Sequence, residues 1–186
     1  LKSTGIKINN DDQTIQKILD RVKEREFIGY SYDGADASFE ILVKKVISEM
    51  PTYFEVVNFN VNVKNSGGEG KTISDAEVKL KFGKEELIGT GQGVGPVNGL
   101  DNSLRNNFKS SGYADLINDL SLIDYKVRIL NTGTDAITRV SIESSDKDKK
   151  SWYTIGVSEN IIEASFRALI DSVEYKLMKE KAAVLS

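Results

Sequence analysis

Without a single cysteine or histidine among its 186 residues, this chain must draw any chemistry from carboxylates, lysines, hydroxyls or backbone amides. Disulfides, thiol catalysis and the commonest general base and zinc ligand are thereby excluded. The stretch most suggestive of a ligand is "GTGQGVGPVNGLDNSLRNN", in which Gly89, Gly91, Gly93 and Gly95 occupy every second position before Pro96 opens a helical pattern. Glycine-rich strand-to-helix turns often cradle phosphate. This one does not fit the motifs that do so. A dinucleotide fingerprint needs G-x-G-x-x-G, yet the sixth position is Pro96 counted from Gly91 and Asn98 counted from Gly93. A P-loop needs Gly-Lys-Ser/Thr where Pro96, Val97 and Asn98 stand.

Gly89 and Gly91 are read instead as places where a strand bends or approaches another backbone closely. Gly95-Pro96 is more specific, because proline in a first helical turn leaves the free N–H groups of the helix facing out of the strand end. A carboxylate suits such a place. Ser158 to Ile161 offers a matching helix start, which predicts a second end of the same kind. Other candidates carry less. Asp171 with Glu174, and Glu85 with Glu86, sit among lysines and read as solvated faces. "SSDKDKKS" reads as a hairpin turn, and of Trp152 and Tyr153 beside it one is expected to pack and one to face water. No nucleophile constellation, acid–base pair or metal cluster stands out.

These positions must be held by elements, and the periodicity supplies them. Ile15, Ile18, Leu19 and Val22 predict an amphipathic helix between Asn10 and Arg25, with Asn10, Asp11 and Asp12 as caps. A second helix is predicted from about Ala35 and closed by Pro51. The period then changes to two. "YFEVVNFNVNVKN" sets Val57, Phe59, Val61 and Val63 against asparagines, the loop "NSGGEGKTI" follows, and "DAEVKLKFG" and "KEELIGTGQG" complete three strands before a helix from Val97. "SLIDYKVRILN", "AITRVSIESS", "KSWYTIGVS" and "ENIIEASFRALIDSVEYKLM" repeat the plan. The expected fold class is α+β: two consecutive β-β-β-α units over residues 53–186, preceded by a helical segment over residues 1–50, with one helix covering the apolar face of each sheet.

A net charge of −3 with both signs interspersed argues against nucleic acid and anionic membranes as partners. No apolar run approaches the roughly 20 residues that span a bilayer, and no signal peptide opens the chain, which predicts a soluble, cytoplasmic protein. Leu1 in place of methionine suggests part of something longer.

"GYSYDGADASFEILV", "GTGQGVGPVNGLDNSLR", "LIDYKVRIL" and "GVSENIIEASFRALIDSVEYKL", in this order, resemble the C-terminal part of the citramalate synthase and 2-isopropylmalate synthase family. "DYKVRIL" and "EYKL" favour the citramalate branch. In this family a barrel domain condenses an α-keto acid with acetyl-CoA at a divalent metal, a helical linker follows, and a C-terminal allosteric domain dimerises and binds the pathway's end product. The resemblance implies that residues 1–50 end the linker and that residues 53–186 form this regulatory domain. It further implies a homodimer, isoleucine (or leucine) as effector, and no catalytic residues, cofactor, metal or synthase activity in this chain alone. The effector residues that carry over are Gly93, Gly95, Pro96, Val97, Leu122, Tyr125, Ile129, Ala136, Thr138, Asn160 and Ile161.

Overall fold

The computed structural model describes residues 12–65, 67, 70–131, 133 and 136–185. Asn10 and Asp11, expected as caps, and parts of the loops before Thr72 and Ala136 lie outside the described residues. The fold is α+β. Two helices, α1 (Asp12–Phe27) and α2 (Asp36–Val46), precede a first repeat of β1 (Glu55–Asn65), β2 (Thr72–Phe82), β3 (Glu85–Gly93) and α3 (Pro96–Lys109). A short helix that the sequence pattern did not predict, α4 (Ala114–Ile117), leads to a second repeat of β4 (Ser121–Ile129), β5 (Thr138–Ser145), β6 (Ser151–Ser158) and α5 (Ile161–Lys179). The strands form two separate antiparallel sheets, ordered β1-β2-β3 and β4-β5-β6. The chain divides into two compact bodies: residues 12–50 with Ser121–Tyr175, and Pro51–Leu120 with residues 176–185.

Helix α2 ends at Val46, earlier than the Pro51 stop predicted. Ser48 takes a left-handed φ of 59°, and the Glu49 N–H reaches back to the Lys44 carbonyl at 2.8 Å, so a backbone cap ends the helix before the proline can.

The two repeats match residue for residue. Across the first sheet Val61, Ala76 and Gly91 share a row, and across the second Val127, Val140 and Gly156 do. Each first strand also carries an irregularity at the same place, between Val56 and Asn58 and between Leu122 and Asp124. That bulge takes Val57 out of the alternation predicted for it, and Val56 pairs with Leu80 instead.

On the middle strands the inward residues Ala76, Val78, Leu80 and Phe82, and in the other body Val140 and Ile142, are buried. Tyr53 and Phe54 precede β1 and add aromatic packing: Phe54 meets Phe82 and Phe108, and Tyr53 meets Tyr113 edge-on. Glycine determines where the helices rest. A Cβ on Gly89 would lie 2.3 Å from the Ser103 carbonyl oxygen, on Gly91 2.3 Å from the Ser103 nitrogen, and on Gly93 2.5 Å from the Gly99 nitrogen. Backbone therefore lies on backbone, and α3 is drawn over β3 and β2. The predicted close approach at Gly89 and Gly91 is what the fold uses these residues for. Gly156 does the same for α5, with Ala164 and Ala168 above it.

A helix seated over the third strand cannot also cover the first. Val63 is 50% exposed and Ile129 66% exposed, although both point to the helix-bearing face. The expectation that one helix covers each apolar face is thus met only for two strands in three.

Candidate functional site

In the first repeat Gly93, Gly95, Pro96 and Val97 form the turn from β3 into α3. Gly95 is the N-cap, with an extended φ of −156° and no side-chain cap, and Pro96 has no N–H to offer. The first intrahelical bond runs from Gly99 N to Gly95 O at 3.0 Å, which leaves the N–H groups of Val97 and Asn98 without an acceptor inside the helix. The Asn98 side chain turns away and accepts from Val94 N at 3.3 Å. This end can receive an anion.

The second repeat differs at the same point. Asn160 Oδ1 accepts from Ile162 N at 2.8 Å and Glu163 N at 3.3 Å, so the start of α5 is already capped by its own chain. The second open helix end predicted at Ser158 to Ile161 is absent. Ser158 donates to Glu163 at 2.6 Å; that bond is the main reason why the Glu163 carboxyl is held below its usual range.

Around this capped end the strand pairing gathers several of the expected residues. Ile129, Thr138 and Ser158 share a row, and Asn160 and Ile161 follow directly. The Tyr125 hydroxyl lies 2.7 Å from Ser165 Oγ, which itself donates to the Ile161 carbonyl at 2.6 Å. Tyr125 is half-buried and Ile129 exposed, so neither is simple core. Ala136 lies just before β5 and is half-buried, while Thr138 is buried. Leu122 stands at the opposite end of β4, about 20 Å from Ile129 at the usual rise per residue.

Sequence reasoning missed the first-repeat counterparts of Ile129 and Thr138. They are Val63 and Ser74, paired with each other and with Gly93. Ser74 is fully buried, and its hydroxyl has no hydrogen-bond partner. Aligning the two repeats in register is the signal that finds them.

A concavity of about 630 Å³ lies elsewhere, on the polar face of the first sheet beside α3. Its groups are occupied with one another: Lys64 and Gln92 both bond Asp75, and Asn60 bonds Glu77. Among the described residues no group of three or more acidic side chains is placed to hold a metal ion, and no helix is long and apolar enough to cross a membrane.

Two expectations about charge divide. Glu85 and Glu86 are solvated, as predicted. Asp171 and Glu174 are not: Asp171 accepts from Ser38 at 2.6 Å, and Glu174, with 15% of its side chain exposed, pairs with Lys45 at 2.7 Å. The residues between β5 and β6 do form the expected turn, Trp152 is buried and Tyr153 faces water.

Similarity to known proteins agrees with this architecture. The chain is 41% identical over 179 residues to an (R)-citramalate synthase of Geobacter sulfurreducens, covering 95% of this chain and 33% of that protein. It is 41% identical over 185 residues to an (R)-citramalate synthase of Streptomyces coelicolor, covering 98% and 34%. A 2-isopropylmalate synthase of Clostridium kluyveri is 24% identical over 168 residues, covering 90% and 29%. The chain thus spans about a third of the length of the curated relatives it matches. Residues 33–177, which include both repeats, match the family described as the LeuA allosteric (dimerisation) domain, and the chain belongs to that family.

Proposed function

We propose that the chain is the regulatory domain of an (R)-citramalate synthase, that it associates as a homodimer, and that it binds isoleucine as a feedback inhibitor. The observation that carries this reading is the uncovered apolar face of each first strand. The helices are held over the third strands by glycine contacts, so Val63 on β1 and Val127 and Ile129 on β4 remain in water. Exposed apolar edge strands of this kind call for a partner surface, and a second copy is the partner that the family description supplies.

For the effector, the uncapped start of α3 in one body suits an α-carboxylate; in the other body, taken by itself, Tyr125, Ile129 and Ile161 offer apolar surface of the kind a branched side chain needs. Isoleucine is preferred over leucine because the relatives at about 40% identity are citramalate synthases, whereas the 2-isopropylmalate synthase stands at 24%. The whole protein would then be an acyltransferase joining pyruvate to acetyl-CoA, with its divalent metal in the catalytic part. The chain described here would have no synthase activity of its own.

Thermal melting with added amino acids tests the effector. A ligand that binds only the folded state adds RT ln(1 + [L]/Kd), about 2.7 kcal/mol at 100 times Kd. For a chain of this size that raises Tm by roughly 5 to 10 °C. Leucine should shift Tm much less at equal concentration, because discrimination by one methyl position is worth about 1 to 3 kcal/mol. Gly95→Asp would place a carboxylate on the same N–H groups, and should abolish the isoleucine shift without lowering the unliganded Tm. A larger shift with leucine would transfer the protein to the 2-isopropylmalate branch. A dimer by sedimentation that responds to no branched-chain amino acid would leave a structural dimerisation module.

A further inference from the structure

On the face of each sheet turned away from its glycine-seated helix, the two repeats place different charges at the same register position. In the first repeat Asn62 pairs with Asp75, and the Asp75 carboxylate is satisfied inside the sheet. Lys64 donates to it at 2.6 Å and Gln92, its register partner on β3, at 2.9 Å. The counterparts of Asn62 and Asp75 in the second repeat are Arg128 and Arg139, directly opposite each other on β4 and β5. Leu130 stands in the place of Lys64, and Val157 in the place of Gln92. The second repeat has exchanged one compensated acid for two cations, and both positions that could have answered a charge are apolar.

Side chains of paired residues leave an antiparallel ladder on one face, and like charges directly opposite each other there are unfavourable. Burial, and after it the charge of Arg128, works against the Arg139 cation. The acids of this face lie further along the strands and are engaged, Asp124 with Lys126 at 2.6 Å and Glu143 with the Tyr153 hydroxyl. Among the described residues no carboxylate pairs with Arg128 or Arg139.

Arg139 is nevertheless held in place. Its Nε donates to the Gly29 carbonyl at 2.7 Å. Gly29 lies in the turn after α1, and a Cβ added to it would meet Leu130 Cδ1 at 2.7 Å and Val157 Cγ1 at 3.2 Å, so this turn rests on the apolar side chains beside Arg139. With Nε occupied, the half-buried guanidinium keeps both Nη groups as donors for an acceptor from outside the chain. Arg128 is exposed and keeps its whole donor fork.

We propose that Arg128 and Arg139 form a binding site for a small dianion, a phosphate or a dicarboxylate, on the face of the second sheet turned away from α5. Paired oxygens of either group match the planar guanidinium fork, and a dianion balances both cations at once. Thr138, one residue before Arg139, leaves β5 on the opposite face, so the site is separate from the residues expected to meet an effector and does not depend on which effector binds.

Titration of the 186-residue chain with inorganic phosphate, and separately with malonate, at an ionic strength held constant with chloride, tests the site. The Arg139 Nε–H and Gly29 amide resonances should follow a saturating curve, and the tighter of the two anions identifies the class. Hydrogen bonds to charged groups are strong enough that losing one changes an equilibrium by about tenfold or more, so Arg128→Gln should weaken binding by at least about that factor. Lys126→Gln removes a charge already met by Asp124 and should leave binding nearly unchanged. A response that stays linear with both anions overturns the site. So does an equal loss in Lys126→Gln, which would show only a general effect of surface charge. Arg128→Gln also removes the opposed like charge, so its Tm without added anion should not fall. A lower Tm would mean that the Arg128 guanidinium is already satisfied within the chain, and the proposal would fail.

Discussion

Replacing Gly156 by alanine sets two opposing effects against each other, and the structure decides which wins. By local preference the change should help, since glycine in a strand interior is worth roughly 0.5 to 1 kcal/mol less than alanine. Packing opposes it. The new Cβ would lie 1.9 Å from the Ala164 carbonyl oxygen and 2.9 Å from the Ala168 nitrogen. Both are backbone atoms of α5, so no side chain can rotate aside. To restore ordinary contact the helix must lift by roughly 1.3 Å, at distances where dispersion contacts decay steeply. The Thr154 hydroxyl, bonded to the Ala168 carbonyl at 2.8 Å and fully buried, would then lose its acceptor. Overpacking costs about 1 to 3 kcal/mol and a buried hydroxyl left unpaired about 1 to 3 more. The expected loss is about 3 to 5 kcal/mol, and Tm should fall by roughly 10 °C. Gly95→Ala is the matched control: its φ of −156° suits any residue and nothing lies within 4 Å of the added methyl, so its Tm should stay close to the wild type. Melting curves of the two variants, recorded without ligand, decide the matter. If Gly156→Ala melts within about 2 °C of the wild type, α5 does not rest on the strand backbone, and the account of why β4 stays uncovered fails with it.

Ser48→Gly should stabilise the chain by about 0.5 to 1 kcal/mol in urea denaturation, because glycine removes the left-handed penalty at φ 59° while the Glu49 to Lys44 bond remains. Asn160→Ala should cost about 1 kcal/mol with an unchanged m-value, since two N–H groups at the start of α5 lose their acceptor. The two variants have opposite signs in one assay, which separates cap chemistry from a general tolerance of surface change.

Much of this protein is written locally. Alternation in "NFNVNV" and "KVRI", helical spacing in "DNSLRNNF", and the proline after Gly95 depend only on neighbours along the chain, so strands, helices and the twofold repetition of β-β-β-α follow from the sequence alone. The uncapped start of α3 follows too, because a glycine N-cap and a proline at the first position are chemical facts of two adjacent residues. What the tertiary structure decided is where each helix lands. The sequence marks Gly91 as a bend or a close approach to some other backbone, but only the helix backbone lying within about 3 Å of the missing methyl groups of Gly91 and Gly156 reveals that they position α3 and α5. That placement leaves Ile129 in water, although its strand pattern matches the buried Ile142. It was equally hidden that Asp171, one acid among the lysines of an amphipathic helix, meets a serine 133 residues away. Burial and pKa are set by atoms distant in the chain, and no local pattern contains them.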